Sequence, residues 1–212
     1  MNIKRVIFWG CFVVVLGLIV WGLIASMGKG QNTGTAGTPA PVSSADHSRG
    51  PVDAPVTMIE YSDLQCPACG AYHPLVEKVL ASSTIPIRMI YRHYPLPQHK
   101  NAFVAAQASE AAAMQGKFWE MSGLLFTYQD QWSELADPRE VFAGYALRIG
   151  LNVEKFKSDM DSDIAKNAVT AQRDEAQKIG INKTPTFFLN GKEIESPQGY
   201  EQFKAAIEAA AK

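Results

Sequence analysis

Hydrophobic residues follow two different spacings along this chain, one typical of β-strands and one typical of α-helices. The β-branched and aromatic residues of VTMIEY, 56–61, predict a buried strand, and IPIRMIY, 85–91, predicts a second. The segment PTFFLNGKEIE, 185–195, predicts two strands joined at Asn190–Gly191, the strongest short signal for a hairpin turn. These patterns predict four strands.

A helix is predicted directly after the first strand. Pro67 suits the first position of a helix, where its missing N–H would have no partner in any case. The apolar residues that follow recur at helical spacing: Tyr72, Leu75, Val76, Val79 and Leu80. Pro74 lies inside this helix and predicts a bend, because an internal proline removes one backbone hydrogen bond.

The segment from about 100 to 179 shows no strand pattern and contains Ala-rich and amphipathic stretches, which predict a helical insertion. Within it, DPRE at 137–140 predicts a helix start with Asp137 as the cap and Glu140 closing a capping box. Gly150 and Gly180 predict helix ends. A last helix is predicted after the hairpin, with Ser196–Pro197 at its start.

The predicted order is strand, helix, strand, helical insertion, hairpin, helix, which indicates an α/β fold with a βαβ unit and a ββα unit sharing one sheet. The chain has 212 residues, of which 47% are hydrophobic and 19% charged, enough for a single folded domain. A net charge of −1 and the absence of a basic run argue against nucleic acid as a partner.

The N-terminal segment predicts membrane attachment. Lys4 and Arg5 precede an uncharged stretch at 6–28 that is long enough to cross a bilayer core of about 30 Å as a helix. A cleaved signal peptide is the alternative, but no clear A-x-A-like site follows. Residues 1–28 are thus predicted to form a cytoplasmic stub and transmembrane signal-anchor, which places the rest of the chain on the extracytoplasmic side, periplasmic or external.

Residues 29–51 are rich in Gly, Thr, Ser and Pro and contain almost no large apolar side chain. Such a segment cannot bury enough surface to order itself, so a flexible linker is predicted here and a folded domain at 52–212. Cys11 lies inside the apolar N-terminal stretch and is predicted to be a small buried hydrophobe without chemistry.

Cys66 and Cys69 form a C-x-x-C pair in LQCPACG, at the junction of the first strand and the first helix. A zinc site normally needs four ligands, and His73 is the only nearby third candidate. A permanent disulfide across so short a loop would stabilise little. Reversible redox chemistry is therefore favoured, with Cys66 as the nucleophile because a helix N-terminus favours its thiolate, and Cys69 as the resolving thiol.

Three segments together resemble the DsbA-like family of extracytoplasmic thiol:disulfide oxidoreductases: EYSDLQCPACGAYHP, HYPLPQHKNAFVAAQASEAAAMQGKFWEMSGLLF and INKTPTFFLNGKEI. The resemblance covers about 52–212 and implies a thioredoxin-like fold with an inserted α-helical domain.

By the same resemblance, Thr184 and Pro185 match the family's cis-proline, which binds substrate peptides, and Glu60 matches the buried acid that exchanges a proton with Cys69. Ala68 departs from the histidine of strongly oxidising members, and Lys183 from a common glycine.

The resemblance implies an enzyme that introduces disulfides into exported proteins. Its partners would be reduced, cysteine-containing exported proteins and a membrane quinone-linked reoxidase of the DsbB or vitamin-K-epoxide-reductase (VKOR) type, with no cofactor besides the Cys66–Cys69 disulfide and no metal. A reductase or isomerase would use the same residues in another direction. Two further alternatives are a metal-binding or metal-delivery module using the cysteines with His73, and a binding or chaperone module in which the cysteines are incidental.

Overall fold

The structure, a computed structural model, describes Trp21 and residues 36–212. The chain divides into two units, Met1–Thr35 and Ala36–Lys212. The predicted membrane anchor and the first part of the predicted linker, up to residue 35, lie outside the described residues except for Trp21. None of the described helices is both long and apolar enough to cross a membrane.

The second unit contains one five-stranded sheet. Its strand order is β1-β3-β2-β4-β5, with β2 and β3 parallel and every other pair antiparallel. The strands are β1 His47–Arg49, β2 Val56–Ser62, β3 Ile87–His93, β4 Thr186–Leu189 and β5 Lys192–Ile194. The four predicted strands are confirmed, and β1 is an addition that the pattern did not predict.

Eight helices are described in this unit. The first follows β2, six lie between β3 and β4 as the predicted insertion, and the last follows the hairpin. They are α1 Pro67–Ser82, α2 Ala102–Ala113, α3 Phe118–Thr127, α4 Gln129–Trp132, α5 Arg139–Arg148, α6 Val153–Met160, α7 Asp163–Lys178 and α8 Tyr200–Ala210.

The sheet has a hydrophobic core on each face, and alternate residues of β4 divide between them. Phe187 packs with residues of α1 and α8 on one face. Phe188 packs on the other face with Tyr61, Ile90 and residues at the end of α7. A third core fills the insertion and includes Trp132, Phe142, Phe156 and both cysteines of the C-x-x-C pair. The cysteines therefore lie where the insertion meets the sheet.

Backbone conformations confirm the predicted turns. Asn190 and Gly191 have φ values of 48° and 79°, as the tight hairpin between β4 and β5 requires. Gly150 and Gly180 follow the ends of α5 and α7 with φ values of 78° and 84°, the left-handed conformation that ends many helices.

Two predicted helix starts differ from the structure, by one residue for α5 and by three for α8. Helix α5 begins at Arg139; the Asp137 carboxylate accepts from the Arg139 N–H at 3.1 Å, but Glu140 accepts from Lys157 and closes no capping box. Helix α8 begins at Tyr200 rather than Pro197, because the Ser196 hydroxyl donates to the carbonyl of Pro185 instead of capping the helix. In both places one side chain of the predicted motif, Glu140 or Ser196, has its partner outside that motif.

The prediction of a flexible linker is wrong for residues 36–51, which belong to the folded unit. The Gly37 N–H donates to the carbonyl of Ile179 at 2.6 Å, and β1 pairs with the edge of β3. Arg92 donates to both carboxylate oxygens of Asp46, at 2.7 and 3.1 Å, and both side chains are buried. The segment orders through hydrogen bonds and an ion pair, which a test for apolar content does not detect.

The ion pair between Asp46 and Arg92 predicts that Asp46→Asn destabilises the domain by about 3 kcal/mol, because the buried Arg92 charge then keeps only its longer, 3.6 Å contact with Glu175 as an ion pair. Chemical denaturation of the full chain in mild detergent measures this cost. Asp53→Asn changes the same residue type at an exposed position and is expected to have no effect. An unchanged denaturation midpoint for Asp46→Asn would show that this segment does not contribute to the fold.

Candidate active site

The two cysteines are placed by the junction of β2 and α1. Cys66 occupies the cap position of α1 with an extended backbone, and Pro67 is the first helical residue. Both thiols are free: the Cys66 residue keeps 7% of its surface exposed and Cys69, one turn into the helix, keeps none. The predicted order of an outer and an inner sulfur is thus present in the structure.

The loop before Cys66 is organised by Asp63, a buried acid that the sequence analysis did not single out. Its carboxylate accepts from the N–H of Gln65 and the N–H of Leu96, each at 2.8 Å, and lies 2.6 Å from Nδ1 of His99. The Asp63 carbonyl also accepts from the Cys66 N–H at 3.0 Å. This network fixes the entrance of α1 to the segment that leads into the insertion.

The insertion also holds the cysteine loop directly. The Gln129 side chain of α4 donates to the carbonyls of Leu64 and Cys66, at 2.7 and 3.1 Å. A Cβ atom at Gly70 would collide with Gln129, so a glycine is needed for this close approach. Both roles depend on residues that are about 60 positions apart, and no local pattern would have identified them.

Thr184 and Pro185, the predicted substrate-binding pair, lie beside Cys66. Their peptide bond is cis, and the Thr184 carbonyl oxygen is 3.6 Å from Cys66 Sγ. Lys183 is exposed next to them, and its carbonyl accepts from the Thr186 hydroxyl. The structure therefore brings a loop 118 residues away to the less buried of the two cysteines.

The two thiols differ in acidity. A hydrogen bond from the Cys69 thiol is the main cause that lowers the pKa of Cys66 to about 5, with smaller contributions from Thr184 and the backbone N–H groups of Ala68 and Cys69. Burial, together with the adjacent Cys66 and Glu60, raises the pKa of Cys69 well above its ordinary range. Near pH 7 the reduced pair holds a thiolate on Cys66 and a proton on Cys69.

Glu60 is buried on β2, and that burial raises the pKa of its carboxyl to about 7, although Ser62 and Arg49 act in the opposite direction. A cavity of about 20 Å³ lies beside it, bordered also by Arg49, His73 and Glu77. Among the described residues, the buried hydroxyls of Tyr91 and Ser122 that line this cavity have no hydrogen-bond partner. The volume is sufficient for about one water.

His73 does not form a cluster of metal ligands with the two cysteine sulfurs. Its ring stacks on Phe126 at 4.9 Å between centroids, and its Nδ1 is 4.0 Å from the Glu77 carboxylate. Among the described residues, three metal-ligand atoms lie within 4.8 Å of one another at His47, His93 and Glu110, and not at the cysteines with His73. The arrangement that the metal-binding alternative requires is therefore not present.

A low-pKa thiolate at a helix entrance, a buried partner thiol, a neighbouring cis X–Pro bond and a buried carboxyl together define a thiol–disulfide exchange site on a thioredoxin-like fold. The comparisons agree with this class. A protein-family model described as Thioredoxin matches residues 43–209. The chain therefore belongs to the thioredoxin family, and its overall structure resembles DsbA-type proteins.

Solved structures with the same fold include BdbD from Bacillus subtilis, with a TM-score of 0.73, 24% identity and coverage of 84% of this chain and 97% of that one. α-DsbA1 from Wolbachia pipientis has a TM-score of 0.71 and 22% identity, with coverage of 81% and 92%.

Among curated proteins, the Na(+)/H(+) antiporter NhaA 3 of Salinispora tropica is 39% identical over 166 residues. The match covers 78% of this chain and 24% of the antiporter. The chain thus spans only about a quarter of the length of the curated relatives that it matches.

The acidity of Cys66 can be tested through its hydrogen bond with Cys69. In the reduced chain we expect the rate of Cys66 alkylation by iodoacetamide to rise with a midpoint near pH 5. Cys69→Ala removes the donor and should move this midpoint upward, whereas Cys69→Ser keeps a donor and should move it less. Equal midpoints in Cys69→Ala and the unmodified sequence would contradict the assigned cause of the shift.

The raised pKa of Glu60 predicts a pH-dependent cost. An unfolded glutamate ionises near 4.5 and the folded one near 7, so stability is lost as pH rises from 4.5 through 7. Glu60→Gln removes this cost and should stabilise the reduced chain by up to about 3 kcal/mol at pH 8, with little of this pH-dependent gain at pH 4. Denaturation at both pH values measures it, and a gain that does not depend on pH would contradict the assignment.

Proposed function

We propose that this chain is a thiol:disulfide oxidoreductase that introduces disulfide bonds into exported proteins. The observation that carries the proposal is the lowered pKa of Cys66, about 5, beside a buried and protonated Cys69. A thiolate that is stabilised in the folded chain favours the reduced form of the pair, and a stabilised reduced form makes an enzyme oxidising.

The reaction begins when a substrate thiolate attacks Cys66 of the oxidised pair. A mixed disulfide forms between the substrate and Cys66, and the Cys66–Cys69 bond breaks with its electron pair on Cys69. Cys69 then takes up a proton, and Glu60 is the proposed donor. The pKa of Glu60 lies near 7, and the proximity of Glu60 contributes to the raised pKa of Cys69. The cavity beside Glu60 connects it to Arg49, His73 and Glu77, which lie nearer the surface.

In the second step another thiolate of the substrate attacks the substrate sulfur of the mixed disulfide. The new disulfide forms in the substrate, and Cys66 leaves as a thiolate. A leaving thiol of low pKa departs faster, so the acidity of Cys66 assists this step directly. The exposed edge beside Thr184 and Pro185 is the proposed binding place for the substrate peptide, because it borders the attacked sulfur.

Two electrons and one proton per turnover remain on the pair and must be removed. We propose a membrane quinone-linked reoxidase of the DsbB or VKOR type as the acceptor, with no cofactor in this chain besides the Cys66–Cys69 disulfide. The apolar stretch at 6–28 supports a membrane anchor that keeps the catalytic domain on the extracytoplasmic side, near such a partner and near exported proteins.

The equilibrium reduction potential of the pair in the full chain, titrated against glutathione, tests the direction of the reaction. We expect a value between about −120 and −200 mV, which is the range of oxidants and isomerases. A value near −270 mV would instead assign the chain to the reductases and contradict an oxidase.

Oxidation of a reduced, unfolded substrate by the pre-oxidised chain supplies the matching activity measurement. Cys66→Ser should abolish it. Retention of the cellular role by this variant would favour a chaperone in which the cysteines are incidental.

A further inference from the structure

Three side chains with metal-ligating atoms meet at a site that the redox chemistry does not use. His47 lies on β1, His93 at the end of β3 and Glu110 on α2 of the insertion. One ligand atom from each lies within 4.8 Å of the others, and among the described residues they form the group of three that could hold a metal ion. His47 is distant in sequence from the other two residues, and the pairing of β1 with β3 brings it to them.

The geometry directs both imidazoles at one carboxylate oxygen. His47 Nε2 lies 2.7 Å from Glu110 Oε1, and His93 Nε2 lies 3.2 Å from the same atom. The His93 side chain is almost fully buried, at 1% exposed, while Glu110 keeps 9% and His47 keeps 15%. The cluster is thus inside the protein but open to solvent on the His47 side.

The His47 ring is held in place by packing. It lies parallel to the ring of Phe118 with 3.6 Å between centroids, and Phe118 also meets His93 edge to face. The Ser109 hydroxyl lies 3.4 Å from His93 Nε2. A side chain that is fixed before a ligand binds loses little conformational freedom on binding, which favours affinity.

We propose that His47, His93 and Glu110 bind a Zn²⁺ ion. Two imidazoles and one carboxylate are a known zinc-binding set, which leaves one position for water. Ligand atoms about 2.0 Å from a tetrahedral ion are separated by roughly 3.3 Å, close to the 3.2 Å between His93 Nε2 and Glu110 Oε1. The 2.7 Å contact of His47 would lengthen by about half an ångström as its ring exchanges a hydrogen bond for the metal.

The ion would connect the N-terminal edge of the sheet to the helical insertion. Strand β1 has three residues and pairs only with β3, so few backbone hydrogen bonds hold it. A metal shared by β1, β3 and α2 would fasten this strand through the His47 side chain, in addition to its backbone pairing. Zinc binding is therefore expected to stabilise the folded chain by mass action.

The test uses the full chain in mild detergent, without a histidine tag, and with Cys66 and Cys69 oxidised to the disulfide. In this state no thiolate of the pair is available to zinc, so binding there cannot come from the C-x-x-C motif. Competition for Zn²⁺ against a chromophoric chelator should give one ion per chain. The thermal unfolding midpoint should rise with added zinc and return after chelation.

Substitutions of the proposed ligands test which side chains bind the zinc ion. His47→Gln, at the most exposed of the three positions, and Glu110→Gln should each weaken zinc binding at least tenfold, since even the loss of an outer-shell partner costs about that much. His73→Gln is the matched control and should leave the affinity unchanged. If the oxidised chain binds no zinc, or if His47→Gln binds it as well as the unmodified sequence, the three residues form only a hydrogen-bonded cluster and the proposal is wrong.

Discussion

The separation of one negative charge and one proton between two sulfurs is the constraint on which the active site depends. Cys66 and Cys69 are only three residues apart, yet their pKa values shift in opposite directions, because Cys66 accepts a hydrogen bond from the Cys69 thiol whereas Cys69 is fully buried. The entrance of α1 supplies N–H groups to the outer sulfur, and burial keeps the proton on the inner one. Any movement of the helix entrance relative to the sheet would reduce this difference.

The insertion prevents that movement. The Asp63 carboxylate accepts hydrogen bonds both from the loop before Cys66 and from the segment that leads into the insertion. The Gln129 side chain of α4 donates to a carbonyl of the same loop. The cysteines share a hydrophobic core with the insertion and with Tyr91 of β3. The helical insertion therefore acts as one wall of the redox site, besides any part that it plays in binding substrates.

The sequence was sufficient for the features that depend on neighbouring residues. The β-branched and aromatic content of 56–61, 85–91 and 185–195, with the Asn190–Gly191 turn, predicted four strands, and glycines marked helix ends because only they adopt positive φ freely. The location of Cys66 at a helix entrance followed in the same way. The roles assigned to Glu60, Thr184 and Pro185 came from the resemblance, and the structure shows where these residues lie.

The features that the sequence did not predict are those that depend on long-range contacts. Residues 36–51 were predicted to be a linker because their composition contains few apolar side chains. Composition does not reveal the ion pair between Asp46 and Arg92, nor the pairing of β1 with the edge of β3. Asp63 and Gln129 have no local signature at all. At both misplaced helix starts one side chain of the predicted motif, Glu140 or Ser196, has its partner elsewhere in the chain.

The N-terminal segment also changes how the domain is stabilised. Because β1 adds to the edge of β3, it covers three residues of a strand edge that would otherwise be open to other chains. Strand β1 also places His47 beside Glu110 of α2, so β1 contacts the insertion as well as the sheet. Two separate sites, the cysteine pair and the histidine–glutamate cluster, thus rest on the contact between sheet and insertion. A change that loosens this contact should affect both sites together, whereas a change within either site should leave the other intact.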